Sequence, residues 1–332
     1  MDDPLWIDAH APDLADLPQD GVREYLTRAV DEPINLVVYG PPGAGKTAAV
    51  RALARESHAD PDNDFVELNV ADFFGRTKTE IKNDPRFASF LVGKSDLSKR
   101  DMINHVLKES TSYAPVSGEY RTVLLDNAEA IREDFQQALR RVMERHHRTT
   151  QFVVATRQPS KLIPPLRSRC FPVAMPAPGT GEIAAVLTDI VEREGVDYEP
   201  DGVSYVAGYA SGNLRTAILA AQTTVAREDE LTMDAAYATL GEIGVDDEVE
   251  GMLAKAERRE FTDARSTLDD LLVDEGLSGT EVLEDLLRVA RTRYDGERLA
   301  RLHRLAGEVE MEMSEGANDR VHVARLLAEV GR

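Results

Sequence analysis

The sequence predicts an α/β domain built on a parallel sheet, followed by two helical segments. Three observations carry that prediction. Short apolar runs alternate with helical patterns over the first half of the chain, as they do where helices cover both faces of a parallel sheet. A glycine-rich turn follows the first run and opens a helix. From "PAPGTGE" (176–182), where proline and glycine cluster, the strand-like runs give way to helical patterns.

The elements follow in order. "INLVVYG" (34–40) is the first strand, and "AAVRALARES" beyond the turn has helical spacing. "FVELNV" (65–70), "TVLLD" (122–126), "TQFVVAT" (150–156) and "CFPVAM" (170–175) are the further strands. A polar, charged stretch between 73 and 117 contains at least one helix. Residues 183–241 read as helix only, and a break at "GEIGVDDE" precedes a third segment, helical to Arg332. Three domains are expected: 1–177, α/β; 178–243, a small helical domain; and 244–332, a helical C-terminal domain.

Composition narrows the class. The chain has 332 residues, 42% of them hydrophobic and 30% charged. No apolar run approaches the roughly 18 residues of a membrane span, and "MDDPLWIDAHAPDL" lacks the apolar core of a secretory signal. Cys170 is the single cysteine, which excludes an internal disulfide and fits a reducing cytoplasm. The formal charge is −21, with 60 acidic against 39 basic residues, and eight of the basic ones are lysines. Such a surface ordinarily opposes binding to a phosphate backbone. The acid is spread along the whole chain, as in proteins adapted to molar salt, where charges are screened within about 3 Å. Net charge therefore speaks to the salt of the cell more than to a partner.

The chemistry begins at "GPPGAGKT" (40–47), which satisfies G-x-x-x-x-G-K-[ST] between a strand and a helix. Gly40, Pro41, Pro42, Gly43, Ala44 and Gly45 form a loop whose backbone N–H groups can curl around phosphate oxygens. Lys46 reaches the β and γ phosphates, and Thr47 offers its hydroxyl to Mg²⁺. Asp126, ending an apolar strand, would hold the same Mg²⁺. The next position, where a carboxylate base should sit, is Asn127, which can orient water but cannot take its proton, a function worth roughly 10²–10⁴ in rate. Glu129 stands two residues on and is expected to cap a helix or face solvent. On these residues the site should bind ATP and hydrolyse it poorly. "PPLRSRCF" (164–171) carries Arg167 and Arg169, whose guanidinium forks suit a γ-phosphate. "SGNLRTAI" (211–218) puts Arg215 on the first turn of a helix, within reach of phosphates across a cleft.

Taken together, these segments resemble the small subunit of the archaeal and eukaryotic sliding-clamp loader, replication factor C, among the AAA+ ATPases. "FVELNVAD" is similar to the family's Glu-Leu-Asn-Ala-Ser-Asp segment, and "QQALRRVMERHHRTTQFVVATRQPSKLIPPLRSRCF" follows its helix, strand and Ser-Arg-Cys motif. "GLSGTEVL" and "SEGANDRVHVARLLAEV" resemble its collar helices. The resemblance implies an AAA+ domain, a helical lid and a helical collar that builds a hetero-oligomer, a pentamer, from a large subunit, a first small subunit and this chain. It implies ATP and Mg²⁺ as ligands, with a sliding clamp and primer–template DNA as partners. It makes Arg169 an arginine finger acting on a neighbour's ATP and Arg215 the sensor 2 arginine. Arg140 and Arg141 are candidate DNA contacts on the same ground, with a subunit contact or a solvated face as the other readings. The chain departs from the family at Asn127, at Arg157 where sensor 1 is asparagine, and at "WIDAHAP", which lacks the usual basic and tyrosyl groups. A divergent second small subunit is the reading that fits. A self-sufficient ATPase in a homo-oligomer and an origin-recognition type initiator are the alternatives; the acidic, helical C-terminus weighs against the second of these.

Overall fold

The structure, a computed structural model, describes residues 4–70, 118–243, 246–273, 277–314 and 318–331, with scattered positions between 77 and 116. The polar stretch from 73 to 117 therefore lies largely outside the described residues. The chain divides into two compact units, Met1–Met233 and Asp234–Arg332.

In the first unit the five apolar runs form one parallel sheet. Its strands are β1 (Leu36–Tyr39), β2 (Phe65–Asn69), β3 (Arg121–Asp126), β4 (Thr150–Thr156) and β5 (Phe171–Ala174), in the order β2-β3-β4-β1-β5. Successive side chains point to opposite faces, so each strand feeds two cores. Val37, Val123, Leu125, Phe152 and Val154 pack on one face with Phe135, Leu139 and Met143. Leu36, Val38, Leu124, Val153 and Ala155 pack on the other with Leu26, Val50 and Leu53. That two-sided burial is why the strands read as continuous apolar runs. β5 lies at the edge, where Pro172 costs the ladder no buried hydrogen bond.

Helices α1 (Asp20–Asp31) and α2 (Lys46–Ser57) supply the second face, and α3 (Glu133–His146) the first. Beyond β5 come α4 (Thr180–Glu194), α5 (Pro200–Tyr209) and α6 (Leu214–Glu228). This stretch is not helix alone: Asp197–Tyr198 pairs in parallel with Glu230–Leu231. Each of these strands is two residues long and abuts a helix end, too short to leave an alternating pattern in the sequence. Helix α7 (Met233–Ile243) follows.

The second unit is helical throughout its described residues: α8 (Asp246–Glu257), α9 (Phe261–Val273), α10 (Gly279–Arg293), α11 (Gly296–Ser314) and α12 (Asp319–Val330). Leu268, Leu271, Val282, Leu286, Val323 and Leu327, at helical spacings, build its core. Ser278 and Glu281 form a capping box at the start of α10. Among the described residues no helix is long and apolar enough to cross a membrane.

Candidate nucleotide site

The phosphate loop leaves the C-terminal end of β1 and enters α2, whose N-terminus brings unpaired N–H groups and a partial positive charge. Glycine is required where the loop is crowded. A Cβ on Gly40 would fall 1.9 Å from the Met175 carbonyl oxygen of the neighbouring strand end. Gly43 has φ +69°, and a Cβ there would fall 1.7 Å from Asn213 Oδ1. The helical segment thus rests on the loop: Leu214 N–H donates to Gly43 O at 3.0 Å, while Asn213 caps α6 by accepting from Thr216 N–H. Ala44 is buried, and its carbonyl accepts from Gln19 Nε2 (3.0 Å), which also donates to Pro176 O (3.1 Å). Pro41 and Pro42 are exposed at the tip.

Lys46 folds back on this loop, donating to Gly40 O (2.9 Å) and Pro41 O (2.7 Å). Burial pushes its pKa down; the charges of Asp126 and Glu129 oppose that, and Arg157 adds to it. Thr47 Oγ1 donates to Asp126 Oδ2 at 2.8 Å, and Asn127 N–H donates to Asp126 Oδ1 at 2.9 Å. Burial nevertheless pushes the Asp126 carboxyl up, with the Thr47 and Asn127 hydrogen bonds acting against it. A desolvated carboxylate beside a hydroxyl fits Mg²⁺, which takes one or two protein oxygens and keeps several waters. Thr47 and Asp126 would hold it, and when bound it neutralises charge on the β and γ phosphates.

The position after Asp126 takes φ 52°, a left-handed conformation that asparagine tolerates. Its Nδ2 donates to Asn69 Oδ1 at the end of β2 (3.2 Å). Glu129 corrects the sequence expectation, since it neither caps a helix nor faces solvent. Its side chain is 10% exposed. Oε2 accepts from Thr156 Oγ1 (2.9 Å) and Arg157 N–H (3.1 Å), and Oε1 accepts from Arg157 Nε (2.7 Å). Burial pushes its carboxyl up, but the hydrogen bonds, Arg157 foremost, outweigh burial and hold it below the usual range. An ionised carboxylate occupied by three donors makes a poor general base.

Arg169 lies at the opposite end of the sheet. It precedes β5, where Phe171 N–H bonds to Asn35 O ahead of β1 (2.7 Å). The loop leaves the far end of the same strands, about 13 Å away at 3.3 Å per residue. Arg169 pairs with Glu144 (2.6 Å) and donates to Pro165 O. Arg140 Nε also bonds Glu144 at 3.1 Å, and the two guanidiniums hold that carboxyl below its usual range. Arg141 is exposed on α3, donating to Gln137 O, and Arg167 is exposed beside Arg169. Arg215 is exposed on the first turn of α6, two residues from the Asn213 that covers the loop.

The structure therefore gathers Gly40 to Thr47, Asp126 and Asn127 at one end of the sheet, brings Arg215 to the segment touching them, and sets Arg169 apart. Sequence reasoning missed Gln19, Asn69 and Asn213. Asn213 alone carried a signal, as a helix N-cap residue. It also missed the pairing of Glu129 with Arg157, which joins residues 28 apart.

Comparison with known proteins gives a consistent picture. The model of the AAA family, ATPases associated with various cellular activities, matches residues 36–175, and that of the replication factor C C-terminal domain matches 245–329. The chain is 31% identical to a replication factor C small subunit of Halobacterium salinarum, over 98% of this chain and 95% of that protein. It is 32% identical to one of Methanocella arvoryzae, over 89% and 84%. A solved Thermotoga maritima RuvB, a Holliday junction branch migration motor, superposes with a TM-score of 0.52 at 17% identity, covering 76% of this chain and 84% of that one. At that identity the likeness speaks for the fold alone.

Proposed function

The chain belongs to the replication factor C small-subunit family, and from that premise we propose that it is a clamp-loader subunit that holds ATP and spares it from hydrolysis. In this reading it binds ATP and Mg²⁺ through Gly40–Thr47 and Asp126, with Arg215 closing on the phosphates from the helical segment. It assembles with a large subunit and a first small subunit as a hetero-pentamer that opens a sliding clamp and places it on primer–template DNA. Arg169 serves the ATP of a neighbouring subunit, leaving Glu144 as it does so.

One observation carries this reading: the phosphate loop and the Thr47–Asp126 pair stand ready, yet the side chain after Asp126 cannot accept a proton from water and the next carboxylate is a poor base. Asn127 is an amide, and Glu129 is occupied by Thr156 and Arg157. That occupancy also weighs against a self-sufficient ATPase that uses Glu129 as its base, and leaves a homo-oligomer with a neighbour's residue as base the form of that alternative still open. The distance between Arg169 and the loop supports action on another subunit's nucleotide. The charge of −21 supports folding at high salt, so the measurements belong in molar KCl.

The test is single-turnover hydrolysis of bound ATP by the purified chain, alone and with its partner subunits. ATP should bind, Lys46→Ala should abolish binding, and turnover by the chain alone should be negligible. Brisk turnover by the chain alone would overturn the reading.

A further inference from the structure

The segment "WIDAHAP", one of the places where the chain departs from its family, has two anchorages in the structure. Its outer half lies on the helical segment. A single helical turn, Trp6–Ala9, packs on α6. Trp6 is buried there; its N–H donates to Gln222 Oε1 (3.0 Å), and Gln222 Nε2 donates to Pro4 O (3.2 Å). His10 Nε2 pairs with Glu194 Oε1 at the end of α4. The inner half lies on α2, the helix that begins at the phosphate loop. Arg55 donates to Pro12 O, Leu14 N–H donates to Glu56 Oε1 (3.0 Å), and Leu14 packs in the core with Val50 and Leu53. Residues 4–14 thus form a strap from the helical segment to the sheet, in addition to the linker at Pro176 and the rest of Asn213 and Leu214 on Gly43.

We propose that His10 and Glu194 latch the helical segment down on the phosphate loop and so set how slowly bound nucleotide leaves. The inference deepens the nucleotide reading above and rests on it. On that reading the nucleotide lies between the loop and Arg215, and it leaves when the helical segment lifts from Gly43. The strap resists that movement because both its ends are buried, Trp6 on α6 and Leu14 in the core of the sheet. Uncovering either end would cost apolar burial. The His10–Glu194 contact joins two side-chain tips between those ends, with Glu194 34% exposed. Opening it lengthens the free span of the strap, so the helical segment can lift while Trp6 and Leu14 stay in place. Glu194 also gains by closing it. A carboxylate on the last turn of a helix faces the negative end of the helix dipole, and a histidine N–H there offsets the repulsion. Both are positioning residues, acting through the helical segment. Such a latch lowers the release rate and leaves the chemistry at Asn127 untouched. Strap and amide thus act in one direction, toward a site that retains ATP.

The alternative for the pair is a partly exposed salt bridge that steadies the fold and does nothing more. Stopped-flow release of a fluorescent ATP analogue from the full-length chain, chased with excess ATP in molar KCl and Mg²⁺, separates the two. His10→Ala and Glu194→Ala should each speed release about 3- to 10-fold, as expected for a charge-assisted hydrogen bond weakened by solvent. Glu194→Gln should speed it less, because the amide oxygen still accepts. The double variant should release no faster than the quicker single one, since both substitutions act through one contact. Release rates equal to wild type in the folded single variants, whether or not their Tm falls, would overturn the proposal while leaving the nucleotide reading in place. Additive accelerations in the double variant would overturn it too, since the two residues would then act separately. A folded wild-type chain that takes up no analogue would overturn the nucleotide reading itself, and this inference with it.

Discussion

The two ends of the five-stranded sheet carry different groups, which the proposed function assigns to different parts of one reaction. At the C-terminal ends of the strands, the parts that bind are present: the glycine loop, Lys46, and Thr47 bonded to Asp126. The position after Asp126 is an amide, and the Glu129 carboxylate is fastened to Arg157. At the N-terminal end, Arg169 stands exposed and paired with Glu144, at the other end of the strands from the loop. The contrast shows how separable binding and hydrolysis are. Binding is distributed over many backbone amides and two cations, so no single substitution at the base position removes it. Hydrolysis hangs on one proton acceptor, worth roughly 10²–10⁴ in rate. On the proposed reading Arg169 serves another subunit's site and is indifferent to that loss.

The largest expected effect tests the N-terminal end. Arg169→Ala should lower the ATPase of the assembled complex about 10³-fold at the one site it serves, in line with what an arginine finger contributes. ATP affinity of the isolated chain should not change. A matching loss of affinity in the isolated chain would mean that Arg169 acts on its own nucleotide, and the division between the two ends would collapse.

The next effect tests the other end from the opposite direction. Asn127→Glu returns a carboxylate to the position after the Mg²⁺ aspartate, where Asn69 Oδ1 now holds the amide. Single-turnover hydrolysis in the assembled complex should rise about 10²-fold, the lower part of the range for a general base. Asn127→Ala should change little. No gain from Asn127→Glu would place the defect elsewhere, with Arg157 the first suspect.

A smaller effect tests whether the helical segment governs binding. Gly43→Ala adds a methyl into Asn213 Oδ1 and strains a left-handed residue, so nucleotide affinity should fall about tenfold, the arithmetic of a strain near 1–2 kcal/mol. Pairing it with Asn213→Ala should recover part of the loss, because the collision is then relieved while the strain stays. Strictly additive effects would show that the contact has no bearing on the loop.

These contrasts were unevenly legible in the sequence. The strands could be read because each is apolar on both faces: Val123 and Leu125 serve one core and Leu124 the other. The phosphate loop was legible because its chemistry is local, eight consecutive residues with a fixed spacing. Asn127 announced a missing base for the same reason. Strand order was not legible, since periodicity says which face a residue takes and not which strand lies beside it. The fate of Glu129 was hidden because it depends on Arg157, which the order β3-β4 brings alongside. Gln19, the residue just ahead of α1, carried no sequence signal, for its partners Ala44 and Pro176 are far along the chain. The two-residue pairing of Asp197–Tyr198 with Glu230–Leu231 was too short to leave a pattern.

The smallest effect concerns what the metal-binding end costs the fold. Burial raises the Asp126 carboxyl above its unfolded value of about 3.9. The sign follows from linkage: a raised carboxyl favours the protonated native state, so its stabilising contribution is complete below the unfolded pKa and lost as pH rises through the folded one. At pH 7 the ionised, desolvated Asp126 therefore opposes folding. Asp126→Asn should raise the Tm of the metal-free protein by about 2–4 °C, as expected for relief of roughly 1 kcal/mol in a unit of this size. The gain should shrink as pH falls toward 4. Mg²⁺ with ATP should raise the Tm of the wild type and much less that of the variant, because only the carboxylate gains a cation. An Asp126→Asn variant less stable than wild type without Mg²⁺ would mean that the Thr47 and Asn127 hydrogen bonds outweigh burial. The phosphate-binding end would then be a stabilising part of the fold, where burial and charge place it among the strained ones.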